Sequence, residues 1–291
     1  MHRRPTLRIA SALVLLAFGF SLASRQGRAQ QYSAEKPLGA SAQQLPSFLK
    51  QSGISQNLNQ RLPLEDSFRD SDGREVALGS YFKERPVVLA LVYYKCRLLC
   101  PQVLNGMATA LREVGFTAGK QYDVIVASID PNDAPSDAAA EKQRFLGWLG
   151  DPGAASSLHF LTGTQTSIHD LAQATGFHYV QVPGPDGKMD QYAHSSVIMI
   201  ATPDGRMSKY LSGIEYQPRD VRLAVIEASN RHIAKASDLI LIYCCNYSPA
   251  AGKYTVSVLR VMSLAAMGSV FMLGLMIYLL SRKPKSTPRP A

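Results

Sequence analysis

Acidic residues are absent from both ends of this 291-residue chain, and its surplus of basic residues is confined there. Arg3, Arg4, Arg8, Arg25 and Arg28 precede Gln30, and Arg282, Lys283, Lys285 and Arg289 follow Leu280. The formal charge of +9 therefore belongs to the tails, because residues 30–280 hold 22 bases against 22 acids. A neutral body has no broad field for a phosphate backbone, which argues against a nucleic-acid partner. Charged residues are few, 18% against 46% hydrophobic, and that composition excludes a disordered or collagen-like chain. Cysteine is scarce, with Cys96, Cys100, Cys244 and Cys245 making up the whole supply. No internal repeat is present.

The basic tails flank hydrophobic segments. Arg3, Arg4 and Arg8 lead into the apolar stretch Ile9 to Ala23, followed by the small-x-small patterns Ser21-Leu22-Ala23 and Gly27-Arg28-Ala29. This is the build of a secretory signal peptide; a retained anchor is the alternative, but the run is short for a span. Val261 to Leu280 contains no charge and is bracketed by Arg260 and Arg282-Lys283. Its length at about 1.5 Å per residue matches the hydrocarbon core of a bilayer. The basic end should stay cytoplasmic, which places the body outside.

Between the tails, residues 30–60 are rich in Gln and Ser and read as a linker or loosely attached strap. Asp70-Ser71-Asp72-Gly73 is a turn signal joining Leu64–Phe68 to Glu75–Leu78 in a hairpin. The runs Val87–Tyr94 and Asp123–Ile129 have the continuous apolar character of strands buried on both faces. Helical spacing or capping marks Cys96–Val114, Pro135–Leu149, Ser167–Thr175 and Pro218–Ala228. Ser195–Ala201 is a further strand, turned by Pro203-Asp204-Gly205 into Arg206–Leu211. Strands alternating with helices give an α/β layer fold with a mixed central sheet.

Cys96 and Cys100 fall where a buried strand runs into a helix. Their intervening loop is too short for a disulfide to add much chain-entropy stabilisation, and Pro101 suits the first turn of a helix. A helix N-terminus favours thiolate, and a thiolate pair supports either redox exchange or soft-metal binding. A metal needs a further ligand. Of the six histidines, His2 leaves with the signal peptide, His169 lies on an exposed helix face, and His159 and His178 sit among apolar neighbours that suggest packing. His232 falls in the polar stretch before the C-terminal span. His194 directly precedes a buried strand and so belongs at a sheet end. Two thiolates and an imidazole suit copper, since thiolates select Cu(I) and imidazole serves both copper states.

Tyr93 through Pro101, then Ser128-Ile129-Asp130-Pro131, then Tyr192-Ala193-His194 ahead of a strand and Pro203-Asp204-Gly205, together resemble the Sco/SenC family over about residues 62–230. The resemblance implies a thioredoxin-like fold that binds copper and assists assembly of the binuclear copper centre of cytochrome c oxidase. It carries Cys96, Cys100 and His194 over as ligands and Asp130 as a residue near the site. Arg97-Leu98-Leu99 departs from the family in lacking an aspartate between the cysteines, which alters local charge or partner docking unless the leucines simply pack. The C-terminal membrane helix is similar to that of a longer bacterial subgroup. The expected layout is thus a signal peptide (1–29), a linker (30–61), the thioredoxin-like copper domain (62–230), a stem (231–260), a membrane helix (261–280) and a basic cytoplasmic tail (281–291). The body would stand on the periplasmic side of the cytoplasmic membrane. Cys244 and Cys245, adjacent and so able to bridge only with strain, are expected to be buried or incidental residues of the stem, a second metal or redox role being the alternative.

Two functions follow. One is a membrane-tethered copper metallochaperone whose partner is the copper-acceptor subunit of a haem–copper oxidase. The other is a thiol–disulfide oxidoreductase in which Cys96 and Cys100 reduce the acceptor's cysteines. His194 discriminates, since dithiol exchange has no need of it. A peroxidase of the peroxiredoxin kind is disfavoured because Tyr93 stands three residues before Cys96.

Overall fold

The computed structural model describes residues 51–96, 98–184, 186–230, 245–249 and 251–281. The signal segment 1–29, the linker up to residue 50, Arg97, residues 231–244 with His232 and Cys244, and the tail from residue 282 lie outside the described residues.

The two continuous apolar runs form the middle of the sheet. β3 (Val87–Val92) and β4 (Asp123–Ser128) pair in parallel from Val87↔Asp123 to Val92↔Ser128, and every residue of both is buried. A strand buried on both faces has no room for alternation, which is why these segments read as unbroken hydrophobic runs. β5 (Leu158–Gly163) extends the parallel part beyond β4, while β8 (Val197–Ala201) and β9 (Met207–Ser212) add antiparallel to the other side of β3. The expected hairpin forms as β1 (Ser67–Arg69) and β2 (Glu75–Ala77), and β1 joins β5. The seven-stranded order is β2-β1-β5-β4-β3-β8-β9. β5 carries no strand expectation above.

Helix α1 (Leu99–Glu113) packs against both α2 (Pro135–Leu149) and α4 (Pro218–Ala228), and α3 (Gln165–Thr175) packs on β5. Proline at the start of α2 and α4 fixes φ where a missing N–H costs nothing. The Asp137 carboxylate accepts from the Ala134 N–H at 2.8 Å and caps α2. This is the mixed α/β layering expected of a thioredoxin-like chain.

A second, separate ribbon pairs β6 (Tyr179–Val182) with β7 (Gln191–His194), from Tyr179↔His194 to Val182↔Gln191. His194 therefore closes β7, and Ser195-Ser196 carry the chain into β8, which starts two residues later than expected. Residues 54–62 are fastened to the body: Ser55 N–H donates to Gly176 O at 2.8 Å, and Asn59 and Gln60 exchange backbone bonds with Met207 at 2.7 and 2.9 Å. A further hairpin, β10 (Cys245–Ser248) and β11 (Lys253–Val256), lies against β9. Its Tyr247 hydroxyl donates to Tyr210 O at 2.6 Å and accepts from Tyr210 N–H at 3.1 Å. One residue later begins α5 (Val258–Ser281). Val258–Leu279 of that helix is long and apolar enough to cross a membrane, and none of it is buried within the protein.

Candidate metal centre

The loop that carries the cysteines is held from below. After β3, Tyr94 turns into the core, where its hydroxyl sits 2.8 Å from the carbonyl oxygens of both Val126 and Leu161. Its N–H donates to Asp133 Oδ2 at 2.8 Å, an oxygen that also accepts from Ser128 Oγ at 2.6 Å. Lys95 spans Asp133 and Asp137 at 3.4 and 3.2 Å. These bonds fix the chain direction, and Cys96 N–H closes a tight turn onto Tyr93 O. The helix then starts at Leu99, three residues after the expected Cys96, so Cys96 stands before the helix and Cys100 in its first turn.

Both cysteines are free thiols and both are buried. Cys100 Sγ lies 3.2 Å from His194 Nε2, joining residues 94 positions apart. The other ring nitrogen, Nδ1, is 2.9 Å from Ser195 O. A carbonyl only accepts, so Nδ1 carries the proton and the Nε2 lone pair points at the sulfur. Burial holds the imidazole below its ordinary pKa, which keeps it neutral and able to donate that lone pair. Phe177 and Tyr93 wall the ring, with centroids at 5.4 and 6.2 Å.

The two sulfurs are electrostatically unequal. A hydrogen bond from the Cys100 thiol, supported by the Tyr93 hydroxyl and by backbone N–H groups at Cys100 and Leu98, pulls the Cys96 thiol below its usual range. Cys100 moves upward for the complementary reason, its proton being held between the sulfurs and its side chain more deeply buried. The pair thus favours one thiolate, on the outer cysteine. Among the described residues, no three His, Cys, Asp or Glu side chains already converge as a metal-holding set.

Asp130 sits one layer out. It accepts from the Asn132 N–H at 2.9 Å and from the Tyr192 hydroxyl at 3.3 Å, and Tyr192 packs edge-on to Tyr93. Four further residues take part to which the sequence assigned no role at the site. Tyr93 and Phe177 wall the imidazole, Tyr192 ties Asp130 to the histidine strand, and Glu141 lies on the buried face of α2 with Ala138, Phe145 and Leu149. Glu141 lines a small cavity with Tyr93 and Cys100, and its Oε1 has no hydrogen-bond partner. An acid at a core spacing on an otherwise apolar helix face was the signal available for it.

The remaining expectations divide. His169 is exposed as expected. His159 is largely buried on β5, stacked on Tyr81, whereas His178 is exposed and bonded to Ser55 Oγ at 3.0 Å, so its packing expectation fails. The neighbouring Phe177 is buried and Tyr179 opens β6, while the His178 side chain faces out toward the fastened segment. Cys245 is buried in the hairpin. Leu98 and Leu99 do not pack: they are 73% and 48% exposed.

The model of the SCO1/SenC family matches residues 58–228, more than half of the chain. The chain belongs to the SCO1/SenC family. A SCO1 protein homolog of Bacillus subtilis (strain 168) is 26% identical over 166 residues, covering 56% of this chain and 80% of that protein. Among solved structures, a candidate electron transfer protein of Aquifex aeolicus VF5 has 22% identity and a TM-score of 0.52, covering 60% of this chain and 96% of that one. ScoI of Arabidopsis thaliana, solved with copper bound, has 18% identity and a TM-score of 0.48 over 57% of this chain and 97% of that one. The SCO1/SenC match contains Cys96, Cys100 and His194, and it ends before the β10–β11 hairpin and α5.

Proposed function

We propose that this SCO1/SenC protein is a copper carrier. Cys96, Cys100 and His194 hold the ion, and the cargo passes to the copper-acceptor subunit of cytochrome c oxidase for its binuclear centre. Helix α5 anchors the body on the periplasmic side of a bacterial cytoplasmic membrane. The observation that carries this reading is the His194 Nε2 lone pair aimed at Cys100 Sγ from 3.2 Å. Dithiol exchange does not require an imidazole at this position, whereas a three-donor copper site does. Two sulfurs and one imidazole form a soft donor set suited to Cu(I) and acceptable to Cu(II).

The chain's own residues prepare the set in three ways. Ser195 O fixes the histidine tautomer. The Cys100 thiol and the Tyr93 hydroxyl stabilise thiolate at Cys96, which gives the ion its first anionic donor. Loading then displaces the proton shared between the sulfurs, so that Cys100 joins Cys96 as a thiolate donor beside the His194 imidazole. The burial of His194 among Phe177 and Tyr93 limits water at the bound ion.

Copper stoichiometry of the purified full chain, with reductant, tests the ligand assignment. One copper per chain is expected for the natural sequence, none held tightly by Cys96→Ser/Cys100→Ser, and a weakened site in His194→Ala. Full stoichiometry in the double variant would sink the assignment. The second reading, an oxidoreductase, is favoured by the free, unequal cysteine pair. A His194→Ala strain separates the two: a carrier loses oxidase assembly although Cys96 and Cys100 still cycle between thiol and disulfide. Normal oxidase activity at limiting copper in that strain selects the reductase.

A further inference from the structure

Beside the cysteines, a cleft of about 860 Å³ opens between the cysteine loop, the loop at Asp130 and the β6–β7 ribbon. That is the size of a site for a sizeable organic ligand, far larger than a metal ion requires. We propose that this cleft docks an extended, basic, thiol-bearing segment of the copper acceptor. The proposal rests on the carrier reading for the partner's identity, and on the cleft itself for the partner's chemistry.

The rim is apolar and unpacked. Among the described residues outside α5, six large apolar side chains are exposed, and Leu98, Leu99 and Met189 are three of them. Leu58, Ile214 and Val256, the other three, lie elsewhere along the chain. Leu98 and Met189 line the cleft from opposite sides, and they are 73% and 54% exposed. Scattered exposed leucines need no explanation, but Leu98 and Met189 share one opening, as on a surface that a partner covers.

The lining is acidic. Asp130, Asp186 and Asp190 face the cleft against a single lining cation, Lys95. The Lys95 ammonium is already claimed by Asp133 and Asp137 at 3.4 and 3.2 Å, so it does not offset the cleft's charge. Asp186 is paired with Lys188 at the solvent edge, so among the described residues the acids that carry the lining's charge without an ion pair are Asp130 and Asp190. Such a lining repels glutathione-like anionic thiols and acidic peptides and draws in Lys or Arg side chains.

Position supplies the last property. Leu98 stands between the two cysteines, and Tyr192 lies two residues before His194 on β7. Side chains two apart on a strand share a face. A segment lying across Leu98 and Tyr192 therefore runs alongside the cysteine loop and the strand that ends in His194. The segment's thiols give up their protons as they take the ion, the released Cys96 and Cys100 thiolates take protons up, and the copper moves between sulfur donors with no change of oxidation state.

The test uses the full chain in lipid nanodiscs and three fluorescent peptides of equal length, each with two serines in place of cysteines and net charge positive, zero or negative. Anisotropy at low salt should show the basic peptide binding at least about tenfold tighter than the acidic one, the gap closing as salt shortens the Debye length. Asp186→Asn/Asp190→Asn should erase that preference. Leu98→Ser and Met189→Ser, both at exposed positions, should weaken all three peptides several-fold. Equal binding of acidic and basic peptides, a preference that survives the double aspartate variant, occupancy by glutathione, or self-association of the chain through Leu98 overturns the proposal. Copper stoichiometry of the same samples keeps the two claims apart. Loss of copper binding by the natural sequence refutes the carrier reading, whereas the peptide results speak to the cleft alone.

Discussion

His159 is stacked on Tyr81 with ring centroids 3.9 Å apart, in the interior of β5. Burial, reinforced by the charges of Lys142 and Arg85, pushes its pKa down to about 4. The unfolded value is higher, about 6.5, so the folded state holds the neutral ring and the unfolded state takes up the proton first. The stabilisation is complete above pH 6.5 and is lost as pH falls through about 4, with an upper size of about 3 kcal/mol. Substituting His159→Phe keeps an aromatic ring on Tyr81 and removes the titration. Denaturant unfolding at pH 7 and at pH 4 should show a smaller acid loss in the variant; an unchanged loss would mean that His159 titrates normally. The proposed copper centre works at the same scale, where one carbonyl decides the His194 tautomer. Replacing Ser195 leaves that carbonyl in place, so Ser195→Ala should retain one copper per chain while His194→Ala weakens the site.

At the scale of elements, two helices end on glycine in the left-handed region, but one of these glycines has a second duty. Gly150 closes α2 with φ +70, and a Cβ there would meet only Arg112 Cδ at 3.9 Å. Gly176 closes α3 with φ +67, and a Cβ there would run into the backbone carbonyl of Ser55. That close approach lets Ser55 bond to Gly176 O and lays residues 54–62 along β9. Gly150→Ala should therefore cost about 1 kcal/mol, the conformational term alone. Gly176→Ala should cost roughly 2–3 kcal/mol, because the neighbouring segment must also shift. Thermal melts of the two variants measure the difference. Equal losses would show that the segment gives way freely. Just before that segment, Ser52 and Gly53 reach the end of the sheet near His194, where Ser195 Oγ donates to Ser52 O at 3.1 Å and His178 N–H to Gly53 O at 3.1 Å.

For the whole molecule, the connection between body and α5 is short. Only Ser257 lies between β11 and the helix, and the hairpin is tied back to β9 through Tyr247 and to the fastened segment by Gln56 Nε2 donating to Pro249 O at 2.7 Å. The span reading predicts opposite compartments for the two ends. A reporter fused after Ala291 should be active in the cytoplasm, and one inserted near Gly119 should be active outside. The reverse pattern would remove the membrane orientation and with it the periplasmic acceptor.

The sequence by itself determined the middle of the sheet and the helices with clear ends. β3 and β4 were legible because strands buried on both faces must be apolar throughout, and α2 and α4 because proline and capping residues act locally. Cys96 and Cys100 were legible as a pair because their spacing is local too. The β6–β7 ribbon was not, since Gln191 to His194 is half-exposed and carries no apolar period. The 3.2 Å approach of Cys100 to His194 spans 94 positions and depends on where two separate strands end. The exposure of Leu98 and Leu99 was equally invisible, because a leucine costs the same in sequence whether it packs or waits for a partner. Local rules set what each segment prefers to be; only the packed sheet decided which side chains meet and which face outward.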